Sequence, residues 1–167
     1  DIVPPHRLQS QMDYLDAHPQ VGMVGTQFTY FGAADRKVFS PRMPLDHATI
    51  YNDLIHGRLA FVHASLMCRT EIMRRIGGYR VEGVGEDWDM FLRMGEAAEL
   101  ANLDEALYLW RIHGDSVTIS RLHQVQTRIQ YACHCARLRQ SGCAEIPFEE
   151  FVHVRRSRLE RGEPFFR

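Results

Sequence analysis

The feature that most constrains the fold is the alternation of amphipathic, helix-like segments with apolar, strand-like ones along the 167 residues. The segment "PPHRLQSQMDYLDAHPQ" predicts a helix whose Leu8, Met12 and Leu15 share one face. The segment "VGMVGTQFTYFG" predicts a strand, and its glycines indicate a bulge or a close backbone approach. Such alternation indicates an α/β layered domain, in which sites lie in the loops at strand ends.

The middle of the chain continues this alternation. "PLDHATIYNDLIHG" predicts a second helix that ends at Gly57. The nearly continuous apolar run "LAFVHASLMCRT" is typical of a strand covered on both faces. Thr70 is then expected to cap a short helix that stops at Gly77 and Gly78.

The last third predicts more strands and a long helix. "ELANLDEALYLWRIH" indicates two short strands with a turn near Asp104. A helix is expected from about Ser116 to Gln140, with five residues roughly on one face: Leu122, Val125, Ile129, Ala132 and Ala136. The arginine-rich tail allows a solvated helix, a membrane-surface element or a frayed end.

Composition excludes several classes of protein. The net charge of -1 gives no reason to expect a nucleic-acid partner, and no apolar run reaches the roughly 18 residues of a membrane span. The sequence shows no signal peptide, and its start at Asp1 rather than Met predicts a fragment. Cys133 and Cys135 do not share a helix face and no paired CxxC exists, so we expect reduced thiols in a cytoplasmic protein rather than structural zinc.

An acidic pair opens the segment "GEDWDMFLRM", just after a glycine-rich loop. Glu86 and Asp87 could simply favour the start of a helix, because free N–H groups and the helix dipole attract acidic side chains there. The apolar residues that follow indicate a heavily buried helix, so a carboxylate at its start would lie at the rim of the core. Two carboxylates there could instead divide the work of orienting a substrate and accepting its proton.

The order of these motifs resembles the second half of a family 2 glycosyltransferase of the GT-A fold. The matching segments are "HASLMCRTEIMRRIGGYR", "GEDWDMFLRM" and "EALYLWRIHGDSVT". They supply His-x-Ser, Ile-Gly-Gly-Tyr, a Glu-Asp pair before an aromatic residue, and Arg-x-His at a strand end. "DIVPPHRLQSQMDYLDAHPQVGMVG" resembles the segment that follows the metal-binding acidic motif of that family. The resemblance covers roughly residues 1 to 120.

The resemblance implies an inverting transfer of a sugar from a nucleotide-sugar donor to an acceptor hydroxyl, with surface polysaccharide or glycolipid synthesis as the usual setting. Asp87 would be the general base, and Glu86 would contact or orient the acceptor. Mg²⁺ or Mn²⁺ would hold the diphosphate, with Asp1 and His113 as the matching metal ligands. For His113, an ordinary polar role at a strand end is an equal alternative.

Five further residues are implied to bind substrate: His63, Gly77, Gly78, Trp88 and Arg111. Each has a simpler alternative. His63 could be a satisfied core histidine, the glycines could only terminate a helix, and Arg111 could make a salt bridge. Trp88, like Trp110, could stack on a sugar ring or belong to the core.

The first half of the family pattern is missing, so we expect a partial GT-A layered sheet that lacks the nucleotide-binding half. Residues 1–120 would form the acceptor side and residues 121–167 a helix with a basic tail. The fragment alone would be inactive, and an exposed sheet edge would favour homo-oligomers. The expected location is cytoplasmic, with membrane-surface contact through the tail. A non-catalytic interaction module of the same fold and an unrelated metal-dependent hydrolase using Asp87 and His113 are the alternatives.

Overall fold

The computed structural model describes residues 1–32, 36–80, 85–112 and 121–161, with only the backbone of residue 159. His113 therefore lies outside the described residues. Six α-helices and four strands occupy these ranges: α1 (Arg7–Ala17), β1 (Val21–Phe31), β2 (Lys37–Phe39), α2 (His47–Ile55), β3 (Met67–Cys68), α3 (Thr70–Arg75), α4 (Glu86–Ala97), β4 (Glu99–Arg111), α5 (Leu122–Gln140) and α6 (Phe148–Glu160). The predicted α/β class is confirmed, because the strands form one mixed sheet flanked by helices.

β1 is the central strand of the sheet. It pairs in parallel with β4, and antiparallel with β2 at one end and β3 at the other. Nearly every residue of β1 is buried, as expected for a central strand of a sheet that has helices packed on it. The predicted close approach at its glycines is confirmed: a Cβ at Gly22 would lie 2.6 Å from the Cβ of Ala98, and one at Gly25 would collide with Asn102.

The predicted turn near Asp104 is wrong, because the single strand β4 runs through that position. Leu103 pairs with Thr26 and Ala106 with Gln27, so Asp104 and Glu105 have no partner residue on β1. The two acidic residues form a bulge, a feature that local propensity does not distinguish from a turn.

The apolar run at 59–70 also differs from its prediction as a single strand. Residues 60–62 are buried, but the chain then turns through a 3₁₀ helix, His63–Ser65, before the two-residue strand β3. The Ser65 hydroxyl donates to the carbonyl of Val62 at 2.9 Å, and this local hydrogen bond favours the turn. Thr70 is not the cap of α3, because Arg69 occupies the N-cap position.

The apolar face predicted for α1 is only partly buried. Leu8 and Met12 are 56% and 50% exposed, whereas Leu15 and Gln11 are buried. Gln11 tolerates burial because its amide donates to the carbonyls of Val24 and Ser65 at 3.0 and 2.8 Å. A polar residue thus takes the core position that the apolar pattern assigned elsewhere.

The main core lies between α4, α2 and α5. From α4 it takes five apolar side chains: Trp88, Met90, Phe91, Leu92 and Met94. Ala132, Ala136 and Ile129 of α5 pack against this core as predicted, although Leu122 from the same predicted face is exposed. The predicted stop of α2 is confirmed, since Gly57 follows it with φ of 72°. None of the helices that the structure describes is both long enough and apolar enough to span a membrane.

Candidate active site

A cleft of about 590 Å³ opens beside the start of α4. Its polar and aromatic walls come from Asp1, His63, Asp87, Trp88, Tyr108 and Trp110, and its apolar walls from Leu59, Phe61, Val62, Ala64, Val125 and Ile129. Four residues predicted for the site, namely Asp1, His63, Asp87 and Trp88, thus share one cleft. Among the described residues, Glu86, Gly77, Gly78 and Arg111 are not part of its lining.

Gly85 sets the direction in which α4 begins. It adopts φ of 81° at the N-cap position, a conformation that other residues rarely take. Glu86 and Asp87 follow in the first turn, where the dipole and the free N–H groups favour negative charge. Trp88, buried in the core, donates its indole N–H to the Leu54 carbonyl at 3.0 Å and anchors this turn. The acidic pair therefore lies inside the helix rather than acting as its cap.

The Asp87 carboxyl lies at the wall of the cleft, with its side chain 28% exposed. Burial raises its pKa above the ordinary value, and the negative charge of Glu86 acts in the same direction. His63 and the backbone N–H of Trp88 lower the pKa, but they do not cancel the effect of burial. A carboxylate with a raised pKa in a cleft is a suitable proton acceptor.

His63 lies between Asp87 and Tyr79. Its Nδ1 is 3.9 Å from Oδ2 of Asp87, and its Nε2 is 2.7 Å from the Tyr79 hydroxyl. The pKa of Tyr79 is raised by partial burial and by the nearby charge of Asp87. Sequence reasoning assigned no role to Tyr79, although it ends the Ile-Gly-Gly-Tyr motif, and that position was the available signal.

The turn that carries Tyr79 is attached to α4 by arginine. Gly77 and Gly78 end α3 with φ of 80° and 62°, which confirms the predicted stop. Arg93 of α4 donates to the Gly78 carbonyl at 2.6 Å and to the carboxylate of Asp89. The two glycines thus position the neighbouring Tyr79, rather than lining the cleft themselves.

Asp89 is a buried carboxylate that sequence reasoning missed. It accepts hydrogen bonds from Arg80 and Arg93, with an Arg80 Nη2 to Oδ1 distance of 2.7 Å. Burial raises its pKa, but the two arginines outweigh that effect and hold the pKa below the usual value. The spacing of Asp89 and Arg93, four residues apart on one helix, was the signal in the sequence.

Asp1 is held in the cleft lining by two hydrogen bonds. Its carboxylate accepts from the Tyr108 hydroxyl at 2.7 Å and from the Arg111 backbone N–H at 2.8 Å. The Arg111 guanidinium lies 4.3 Å from the centre of the Phe31 ring. Within residues 1–32, 36–80, 85–112 and 121–161, no three His, Cys, Asp or Glu side chains converge as metal ligands would. Asp1 can offer oxygen ligands, but the described residues do not complete a metal site.

No protein-family model matches the sequence. Two glycosyltransferases are similar to it over most of its length. The amylovoran biosynthesis glycosyltransferase AmsE of Erwinia amylovora is 26% identical over 144 residues, which is 85% of this chain and 53% of that protein. The putative glycosyltransferase EpsE of Bacillus subtilis is 27% identical over 164 residues, which is 92% of this chain and 54% of that protein. The chain thus spans about half the length of the curated relatives it matches.

Proposed function

We propose that this chain is the acceptor-side and catalytic-base part of an inverting glycosyltransferase of family 2 with a GT-A fold. The whole protein would move a sugar from a nucleotide sugar to an acceptor hydroxyl in the synthesis of a surface polysaccharide. The observation that carries the proposal is the Asp87 carboxyl, with its raised pKa, at the wall of the cleft. The similarity of the chain to two glycosyltransferases supports the same conclusion.

Asp87 would act as the general base. In the transfer step the acceptor oxygen forms a bond to the anomeric carbon, and the bond from that carbon to the diphosphate breaks. The acceptor hydroxyl proton moves to the Asp87 carboxylate. A positioned base contributes about 10²–10⁴-fold to such a step, and a raised pKa makes the ionised carboxylate a stronger proton acceptor.

The cleft walls suit a sugar acceptor. Trp110 is half-buried and packs against Tyr30, with ring centroids 5.3 Å apart, so its ring is held in a defined orientation at the cleft. Aromatic faces bind the apolar faces of sugar rings, and polar groups at their edges orient the hydroxyls. We assign His63 and Trp88 to acceptor contacts, and Glu86 to orienting the acceptor from the first turn of α4.

The divalent metal remains a proposal for the whole protein. Mg²⁺ or Mn²⁺, when bound, would neutralise the charge of the diphosphate leaving group. Among the described residues, we assign Asp1 as a ligand of this metal. His113, the other predicted ligand, lies outside the described residues. The described residues do not complete the site, and the proposed proton transfer involves the acceptor hydroxyl and the Asp87 carboxylate. Four further statements are likewise proposals. The rest of the protein would complete a GT-A fold, and the protein would be cytoplasmic, contact a membrane surface and form a homo-oligomer.

Product analysis with the full-length protein tests this function. UDP- and GDP-sugars would be offered with and without oligosaccharide or lipid-linked acceptors, and both the released nucleotide and the glycosylated product would be measured. We expect nucleotide release that depends on an acceptor, with inversion at the anomeric carbon seen by NMR. Hydrolysis of phosphoesters without a sugar donor, or a failure to bind any nucleotide sugar, would contradict the proposal.

A further inference from the structure

We infer that Tyr79 and His63 form a positioning pair for the Asp87 carboxylate. Tyr79 holds the imidazole of His63 in place, and the imidazole faces the carboxylate at the wall of the cleft. The inference rests on the proposed role of Asp87 as general base. It adds a role for Tyr79, and a second role for His63 besides the acceptor contact: the two residues act on Asp87 and set the pH range in which this base is available.

The two nitrogens of His63 face different partners. Nε2 is 2.7 Å from the Tyr79 hydroxyl, which is a hydrogen-bond distance. Nδ1 is 3.9 Å from Oδ2 of Asp87, which is an ion-pair distance longer than a hydrogen bond. The imidazole also contacts the edge of Phe91, at 6.1 Å between ring centroids. When His63 is protonated, it can donate from Nε2 to Tyr79 and turn its positive charge towards Asp87.

Tyr79 is positioned relative to α4 by a contact separate from the imidazole. Arg93 donates to the carbonyl of Gly78, immediately before Tyr79, at 2.6 Å, and Arg93 and Asp87 belong to the same helix. Arg80, immediately after Tyr79, binds Asp89 of that helix. Both neighbours of Tyr79 are therefore tied to the helix that carries the base. The tyrosine hydroxyl is thus placed with respect to Asp87 before any substrate binds.

The neighbouring charges act on the pKa of Asp87 in opposite directions, so the effect of His63 on that pKa can be told apart from the effect of Glu86. Glu86 acts against ionisation, whereas His63 favours it. Tyr79 itself has Cys68 and both carboxylates as neighbours. On the α5 side the cleft is lined by apolar Val125 and Ile129. The Cβ of Arg128 lies near Gly85, and its guanidinium lies over the Phe148 ring at 3.7 Å.

The consequence for the reaction is a balance between two neighbours of the base. A protonated His63 stabilises the ionised Asp87, so the carboxylate stays available to accept the acceptor proton at lower pH. Glu86 opposes this, and it makes Asp87 a stronger acceptor. Because the two neighbours act in opposite directions, substitutions at His63 and Glu86 should shift the titration of Asp87 in opposite directions. A merely structural role for His63 would not produce this pattern.

The direct test is a pH titration of the Asp87 carboxyl carbon by ¹³C NMR, with the signal identified by its loss in Asp87→Asn. We expect His63→Gln to raise the midpoint by at least about 0.5 pH unit, since an opposite charge within about 4–6 Å lowers a carboxyl pKa by about 1–3 and partial exposure weakens this. Tyr79→Phe should raise it by less, and Glu86→Gln should lower it. The control His56→Gln, at an exposed residue bonded to the Asn52 carbonyl, should leave it unchanged.

An activity measurement on the full-length protein connects the pair to catalysis. The acid limb of the pH profile of kcat should move to higher pH in His63→Gln and Tyr79→Phe, and to lower pH in Glu86→Gln. An unchanged Asp87 midpoint in His63→Gln or in Tyr79→Phe would overturn the inference even if transfer is normal. A wild-type protein that transfers no sugar would overturn the proposed function instead, while the NMR result would still decide whether the pair acts on Asp87.

Discussion

Asp87 combines two opposing requirements at the scale of a single residue. The first turn of α4 favours a negative charge, but burial at the cleft wall disfavours it and raises the pKa. The folded chain therefore holds the Asp87 proton in a pH range where the unfolded chain has lost it. The stability that this group contributes is fully present below the unfolded pKa of about 3.9 and is lost as the pH rises through the folded pKa.

Asp87→Asn should therefore stabilise the fold at neutral pH. The neutral amide avoids the cost of a buried charge, so we expect a higher Tm than wild type at pH 7 and nearly the same Tm at pH 3. Thermal unfolding followed by circular dichroism at both pH values measures this. Asp13→Asn is the control, because Asp13 is exposed and accepts a hydrogen bond from Gln9 on the same helix face. A stabilisation that is equal at pH 3 and pH 7 would contradict the burial argument.

At the scale of secondary-structure elements, Asp89 connects α4 to the turn after α3. It binds Arg93 within the helix and Arg80 beyond Gly77 and Gly78. Asp89 and Arg93 are buried, and removing one member of a buried ion pair leaves the other charge without compensation. This connection places Tyr79 next to His63, so the geometry of the candidate site depends on it.

Asp89→Asn should destabilise the protein by about 3 kcal/mol, at the lower end of the cost for a broken buried pair because Arg80 is partly exposed. Urea unfolding measures this. The matched control is Glu160→Gln, which breaks the exposed pair with Arg156 and should cost about 0.5 kcal/mol or less. Because the pKa of Asp89 is lowered, its contribution exists at neutral pH and is lost as the pH falls through that pKa. A similar loss of unfolding free energy in Asp89→Asn and Glu160→Gln would contradict the claim that Asp89 joins α4 to the turn after α3.

The elements that could be predicted are those governed by local signals. β1, α2 and α4 follow from apolar pattern and glycine stops, and the structure has all three. The misassigned features depended on long-range contacts. The buried face of α1 rests on Gln11 binding carbonyls of distant segments, and β4 stays one strand through Asp104 because β1 pairs with it on both sides of the bulge.

At the scale of the whole molecule, the cleft is assembled from segments far apart in the sequence. Asp87 lies in the first turn of α4, His63 lies in a 3₁₀ turn, Trp110 lies in β4, and Asp1 also lines the cleft. The acidic pair could be recognised because both members lie in one motif. The Tyr79–His63–Asp87 arrangement could not, since it depends on how α3, α4 and the 3₁₀ helix pack.

The described residues also form a continuous core across the predicted boundary at residue 120. Ala132, Cys133 and Ala136 of α5 pack with α4 in the main cluster, and Arg137 donates to the Ile55 carbonyl at the end of α2. The division into residues 1–120 and 121–167 stays a prediction about function, while the packing joins α5 to the part that carries Asp87.

The central claim is that Asp87 accepts the acceptor proton, and the direct test is Asp87→Asn in the full-length protein. The transfer rate would be measured at saturating donor, and donor affinity would be measured separately by calorimetry. We expect the rate to fall by about 10²-fold or more while donor affinity stays close to wild type, with Asp13→Asn unaffected in both. A variant that keeps more than about a tenth of the wild-type rate would contradict the assignment of Asp87 as the general base.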